Sequence, residues 1–227
     1  MKQNKCNLVI AEMNDLIHVP VVELGEKLVN LTKTLKHCVC VYQQQDMVPY
    51  VGEDLWVRES VAIKLQIIID KLEIIYPSYY LKIVYGYRHP DIQEFYFERR
   101  KKQVIIDNPD LDNDAINEIV NTMTAFPLTA GHPTGGAIDL TLCIKDGTEI
   151  DMGTGISDFR DKEKINTYSE NLTNFQKFNR EILHDFMVKE EFAPYYGEWW
   201  HFSYGDREWA FFYKKPNAIY DKVFFRI

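Results

Sequence analysis

The sequence predicts an α+β fold: a single compact domain with a largely antiparallel sheet flanked by helices. Three observations predict it. Apolar residues recur at three- and four-residue steps in separate segments, notably Val61–Ile75 and Phe175–Phe186, which is the helical period. The short runs "YLKIVYGYR" and "AIDLTLCI", rich in β-branched and aromatic residues and ended by turn formers, read as strands. Helices and strands come in unequal groups rather than in strict alternation, which argues against a parallel, doubly wound sheet.

The elements follow in order. "VRESVAIKLQIIIDKLEIIYPS" is an amphipathic helix that must stop before Pro77, and "YLKIVYGYR" is a strand ending near Gly86. "PDIQEFYFERRKKQVI" begins a helix at Pro90 with Asp91 in its first turn. Its basic run, Glu98–Lys102, reads as the solvated end of that helix. "DLDNDAINEIVNTM" is a helix entered through Asp and Asn caps. "AIDLTLCI" is a strand closed by the turn "KDGT", and a helix spans about Asn174 to Glu190. "EWWHFSYGDREWAFFYKK" reads as two strands around the hairpin signal Gly205-Asp206.

The 227 residues suffice for one sizeable domain, 1–227, with no linker-like tract and no internal repeat. A net charge of -8 argues against a nucleic-acid or anionic-membrane partner, because either needs a basic face. The apolar stretch near the N-terminus is short and broken by Glu12 and Asp15, so it fits neither a signal peptide nor a membrane span. Cys6, Cys38, Cys40 and Cys143 form no paired framework and read as reduced thiols of a cytoplasmic protein. "HCVCV" places Cys38 and Cys40 on one face of a strand with His37 on the other, and without a second pair it reads as structural.

Chemistry concentrates in three places. In "GHPTGGAIDLTL", His132 and Asp139 lie seven apart in an apolar run. In a continuous strand they would face opposite sides, so they converge only if the chain bends, and Pro133, Gly135 and Gly136 supply a bend. The pair alone fits a buried His-Asp hydrogen bond as well as a metal site. In "EWWH", Gly197 and the Trp pair favour a turn entering a strand, with Glu198 at its mouth and His201 inside. Two histidines and a carboxylate are the ligand set of many catalytic zinc sites, and Glu198 near them suits a general base; a core strand is the competing account. Arg88, at the end of a strand before a Pro turn, suits a carboxylate, a developing oxyanion or a structural ion pair.

"HPTGGAID" resembles the His-x-x-Gly-x-Ala-x-Asp signature of the zinc D-alanyl-D-alanine dipeptidases, and "EWWH" their Glu-x-x-His signature, in the same chain order. "GYR", "AIDLTL" and "DMGT" look like the same family, and the similarity runs from about Tyr85 to Phe212. The resemblance implies the fold shared with hedgehog domains and vancomycin-resistance-type dipeptidases. It implies one Zn2+ held by His132, Asp139 and His201, Glu198 as general base and acid, and Arg88 steadying the substrate carbonyl. The substrate implied is D-Ala-D-Ala, a small D-amino-acid peptide of cell-wall peptidoglycan, and residues 1–50 are expected to pack on or over the site.

Two positions depart from the family pattern. Ala130 stands where the signature has Ser, which puts recognition of the usual dipeptide in question. In "GISDF", Ser157 stands where the family places the Asp suited to the substrate amine, and Asp158 follows one residue later. Either the loop shifts and Asp158 binds the amine, or Asp158 is a helix cap and the amine site is absent. These departures leave a D,D-carboxypeptidase or endopeptidase acting on longer peptidoglycan peptides as one alternative. A non-catalytic zinc-stabilised module is another, and Glu198 argues against it, since such a module needs no base.

Overall fold

The computed structural model describes Ile10–Ile227; Cys6 and the first lysines lie outside the described residues. The N-terminal portion contributes short pieces: α1 (Met13–Ile17), β1 (Leu28–Asn30), α2 (Leu31–Thr34), β2 (Val39–Cys40), α3 (Val48–Val51) and β3 (Trp56–Arg58). The longer elements follow as α4 (Glu59–Ile75), β4 (Tyr80–Tyr85), α5 (Pro90–Asp107), α6 (Asn113–Asn121) and β5 (Ala137–Cys143). The chain closes with α7 (Lys162–Ile165), α8 (Asn174–Lys189), β6 (Ala193–Pro194), β7 (His201–Ser203) and α9 (Arg207–Phe212). This is a mixed α+β architecture, as its periodicities predict.

The main sheet has the order β2-β4-β5-β7-β6, and all its pairings are antiparallel except β2 with β4. A separate antiparallel ribbon joins β1 to β3. β5 is central and buried at every position, so most of its residues must be apolar; Asp139 and Thr141 are the polar exceptions, and the ionisable Asp139 is the one that needs a charged partner. Helix α4 buries Val61, Leu65, Ile68 and Leu72 on one stripe and ends at Tyr76, because Pro77 has no N–H to continue the ladder. Helix α8 is fixed at its start by a reciprocal cap: Thr173 Oγ1 accepts from Gln176 N at 3.2 Å, and Gln176 Oε1 accepts from Thr173 N at 2.9 Å. It buries Ile182, Leu183, Phe186 and Met187 in the core shared with α4 and β5, while Phe175 and Phe178 stay exposed.

Three expectations need correction. "REWAFF" is the helix α9, not the second strand of a hairpin. Gly205, at φ 80°, makes the predicted turn, but Asp206 then caps a helix, its Oδ1 accepting from Trp209 N at 2.9 Å. The basic run Glu98–Lys102 lies inside α5 rather than at its end. The helix continues because Val104 packs with Phe97 against Ile116 and Val120 of α6. His37 precedes β2 in left-handed backbone (φ 57°) instead of occupying the strand's second face. The two thiols do share a face, with Cys38 and Cys40 Sγ atoms 3.8 Å apart, and the described cysteines are free. Among the described residues no helix is long and apolar enough to cross a membrane.

Candidate active site

The bend in "HPTGG" forms as its residues dictate. His132–Thr134 make a 3-10 turn, and Gly135 follows at φ 73°, a conformation in which a side chain would also strike Leu28 at 2.4 Å. Gly136 is needed for a different reason: a Cβ there would lie 2.4 Å from the Tyr204 carbonyl oxygen. Arg58, nearly fully buried, anchors the outside of this turn. Its Nε donates to Thr134 O at 2.7 Å, and its Nη atoms reach both oxygens of Glu23, the Glu26 carbonyl and Asp221 O.

The turn delivers His132 to the face of β5 that carries Asp139. His132 Nδ1 lies 2.7 Å from Gly86 O; a carbonyl only accepts, so Nδ1 donates and Nε2 is left facing inward. That Nε2 is 3.4 Å from Asp139 Oδ2. Asp139 is the register partner of His201 on β7, and its Oδ1 is 2.9 Å from His201 Nδ1. One potential ligand atom from each of the three lies within 4.8 Å of the others. Burial lowers the His132 pKa; burial would raise that of Asp139, but the two histidines outweigh it and hold the carboxyl below its usual range. Two imidazole nitrogens and one carboxylate converging in a nearly buried site fit a divalent zinc-like ion, and the His132 hydrogen bond on the far side fits as well.

Glu198 and Arg88 border the same cavity, which measures about 280 Å³. Glu198 sits in the turn ahead of β7, its N–H bonded to Tyr195 O and its carbonyl accepting from His201 N. Burial pushes its carboxyl up to about 7, with His201 pulling the other way. Arg88 follows β4; its Nε donates to Tyr85 Oη at 3.1 Å and its Nη1 to Gln93 Oε1 at 2.8 Å. Tyr85 and Tyr96 in turn donate to Asp46 Oδ2, at 2.9 and 2.8 Å, and Tyr42 donates to Oδ1 at 2.5 Å. The N-terminal portion thus supplies the carboxylate behind Arg88, and its Ala11 and Leu16 reach the cavity wall.

The five residues His132, Asp139, His201, Glu198 and Arg88 therefore come together. Ala130 and Ser157 also line the cavity. Asp158 is engaged elsewhere: both its oxygens bond the exposed Arg160, at 2.8 and 2.7 Å. Trp199 and Trp200 are buried, Trp200 against the cavity wall, and His184 is a core residue against Tyr168 and Tyr196. Sequence reasoning did not single out Arg58, Asp46 or Glu208. Only Glu208 left a signal, as an acid in the first turn after the capping residue Asp206.

Such a constellation on this fold defines a metallopeptidase. The chain matches the model of peptidase family M15, described as D-ala-D-ala dipeptidase, over residues 69–225, and it belongs to that family. A D-alanyl-D-alanine dipeptidase of Synechocystis sp. is 27% identical over 233 residues, spanning 90% of this chain and 92% of that protein. One from Escherichia coli is 34% identical over 74 residues, 33% of this chain and 37% of that protein. Among solved structures, the LdcB LD-carboxypeptidase aligns with TM-score 0.46 and 17% identity over 82% of this chain and 71% of its own. The vancomycin-resistance D,D-dipeptidase VanXYg, in complex with a D-Ala-D-Ala phosphinate analog, aligns with TM-score 0.35 and 21% identity over 86% and 66%.

Proposed function

We propose that the protein is a zinc-dependent dipeptidase that hydrolyses D-Ala-D-Ala, with His132, Asp139 and His201 holding one Zn2+. The observation that carries this reading is the convergence of the three ligand atoms within 4.8 Å, on the cavity that Glu198 and Arg88 also border. Zinc, when bound, supplies Lewis-acid polarisation of a carbonyl oxygen and acidifies water. Glu198 takes a proton from the attacking water as the water oxygen bonds to the scissile carbon. A carboxyl held near 7 by burial is matched to accepting that proton at neutral pH and returning it. The proton goes to the leaving amine nitrogen as the C–N bond breaks, which yields two alanines. Arg88, held by Tyr85 and Gln93, faces the negative charge that develops on the carbonyl oxygen.

A cavity of about 280 Å³ is at the small end for ligand sites, roughly 300–1,000 Å³, and suits a dipeptide. The free cysteines among the described residues, Cys38, Cys40 and Cys143, and the acidic charge support a cytoplasmic enzyme without nucleic-acid or membrane partners. One observation favours a second reading, a D,D-carboxypeptidase or endopeptidase on longer peptidoglycan peptides: Asp158 is bound to Arg160, while Arg99 and Arg100 stand at the cavity wall. A strict dipeptidase needs an acid that rewards a free amine and so rejects longer chains.

The test incubates zinc-loaded protein with D-Ala-D-Ala, L-Ala-L-Ala and a muramyl peptide ending in D-Ala-D-Ala, with and without chelator, and measures released alanine. Chelator-sensitive cleavage of D-Ala-D-Ala alone supports the dipeptidase. Preference for the muramyl peptide moves the assignment to the second reading, and cleavage that survives the chelator rejects both.

A further inference from the structure

Helix α9, where a strand is predicted, brings a carboxylate to the Nε2 edge of His201, at the wall of the same cavity. Glu208 Oε2 lies 3.5 Å from His201 Nε2, and the side chain is only 17% exposed. The two ring nitrogens of an imidazole point away from each other, so Glu208 and Asp139 approach His201 from opposite directions. Glu208 is therefore no fourth member of the His132, Asp139 and His201 group, whose ligand atoms lie together on the other side of the ring.

The placement is built, not incidental. Asp206 Oδ1 accepts from Trp209 N at 2.9 Å, which starts α9, and from Ser203 Oγ at 2.8 Å, which ties that start to β7. The strand that carries His201 thus also fixes the helix that carries Glu208. On the opposite side the start of α9 packs against the residue before His132: a Cβ at Gly131 would lie 2.2 Å from Asp206 Oδ2. His132 has its non-ligating nitrogen bonded to a backbone carbonyl, whereas His201 has a carboxylate there. A carboxylate partner fixes the tautomer and strengthens the ligand.

We propose that Glu208 is the positioning residue for His201: its carboxylate accepts a hydrogen bond from Nε2–H, and so holds the tautomer that presents the Nδ1 lone pair to the metal and sets metal affinity. The inference rests on the zinc reading above. It is tested by measuring the zinc dissociation constant, through competition with a chromophoric chelator, for wild type, Glu208→Ala and Glu208→Gln, and by melting each protein in excess chelator. Glu208→Ala should bind zinc about 10–100-fold more weakly, and Glu208→Gln, which keeps an acceptor oxygen but no charge, should fall between. A residue that only supported α9 would lower the melting temperature in chelator and leave zinc affinity alone. Variants that bind zinc as tightly as a zinc-binding wild type overturn the role of Glu208 only. A wild-type chain that binds no zinc overturns the metal reading, and this inference with it.

Discussion

Asp139 and His201 are register partners on neighbouring antiparallel strands, and their side chains meet at 2.9 Å although 62 residues separate them. Cross-strand partners of this kind stand within side-chain reach without any further adjustment. The pairing puts an acid into a strand that is otherwise uncharged and buried, and supplies what makes the acid tolerable there: His201 on one oxygen, His132 on the other.

Ligand and base should therefore separate experimentally. His132→Ala is expected to lose zinc and peptide hydrolysis together, because its Nε2 is one of three converging donors. Glu198→Gln should keep zinc and lose roughly 10²–10⁴ in turnover, the usual size of a general-base contribution. Metal analysis beside alanine release checks both, and a Glu198→Gln protein as fast as wild type removes Glu198 from the mechanism.

Arg88 should act mainly on turnover. Its guanidinium is held at Nε and Nη1, and Lys cannot reproduce that two-point geometry. Arg88→Lys should lower kcat about 10²–10³-fold, as for loss of an oxyanion donor. Tyr85→Phe removes two charged hydrogen bonds, the one from Arg88 and the one to Asp46, and should cost about tenfold, with Asp46 left to Tyr42 and Tyr96. Steady-state kinetics that show a KM effect with kcat intact would place Arg88 on substrate binding instead.

Arg58 should matter to stability. Its guanidinium bonds three backbone carbonyls and Glu23, and so joins residues 23–26, the "HPTGG" turn and the C-terminal segment. Arg58→Met leaves those carbonyls without their donor, an expected loss of roughly 3–5 kcal/mol. Arg58→Lys should recover little of it. Urea midpoints at constant m value measure the loss, and a change below about 1 kcal/mol would contradict the clamp.

Residues with a local period were legible from sequence, and residues whose partners are distant were not. Helices α4 and α8 and strand β5 follow from apolar spacing, and the bend at Gly135 from its residue type. The five-residue constellation was legible through its motifs, but nothing local says that Asp139 faces His201 rather than a core atom. Arg58 carries no pattern because its partners lie far off in the chain, Thr134 being 76 residues away; Asp46 has Tyr42 close by, but its other partners, Tyr85 and Tyr96, are 39 and 50 residues away. Helix α9 was misread as a strand for a local reason, since Gly-Asp serves both a hairpin turn and a helix cap, and here Trp209 N decides for the cap.

Asp206 gives a prediction with a definite pH dependence. It is fully buried, its Oδ2 has no hydrogen-bond partner among the described residues, and burial, with Glu208 adding to it, raises its carboxyl from 3.8 to about 6. Below pH 3.8 the group is neutral in both folded and unfolded chains and costs nothing. Between 3.8 and about 6 the unfolded chain ionises and the folded one does not, so stability falls as pH rises. Above 6 the loss levels off at about 3 kcal/mol, two pH units at about 1.4 kcal/mol each. Asp206→Asn keeps an oxygen for Trp209 N and Ser203 Oγ and removes the buried charge. In excess chelator it should therefore be more stable than wild type by about 2–3 kcal/mol at pH 7, with the difference vanishing near pH 4. Denaturation across that range decides the matter: an equal gain at both ends, or none at pH 7, would show that ionisation of Asp206 is not what the fold opposes.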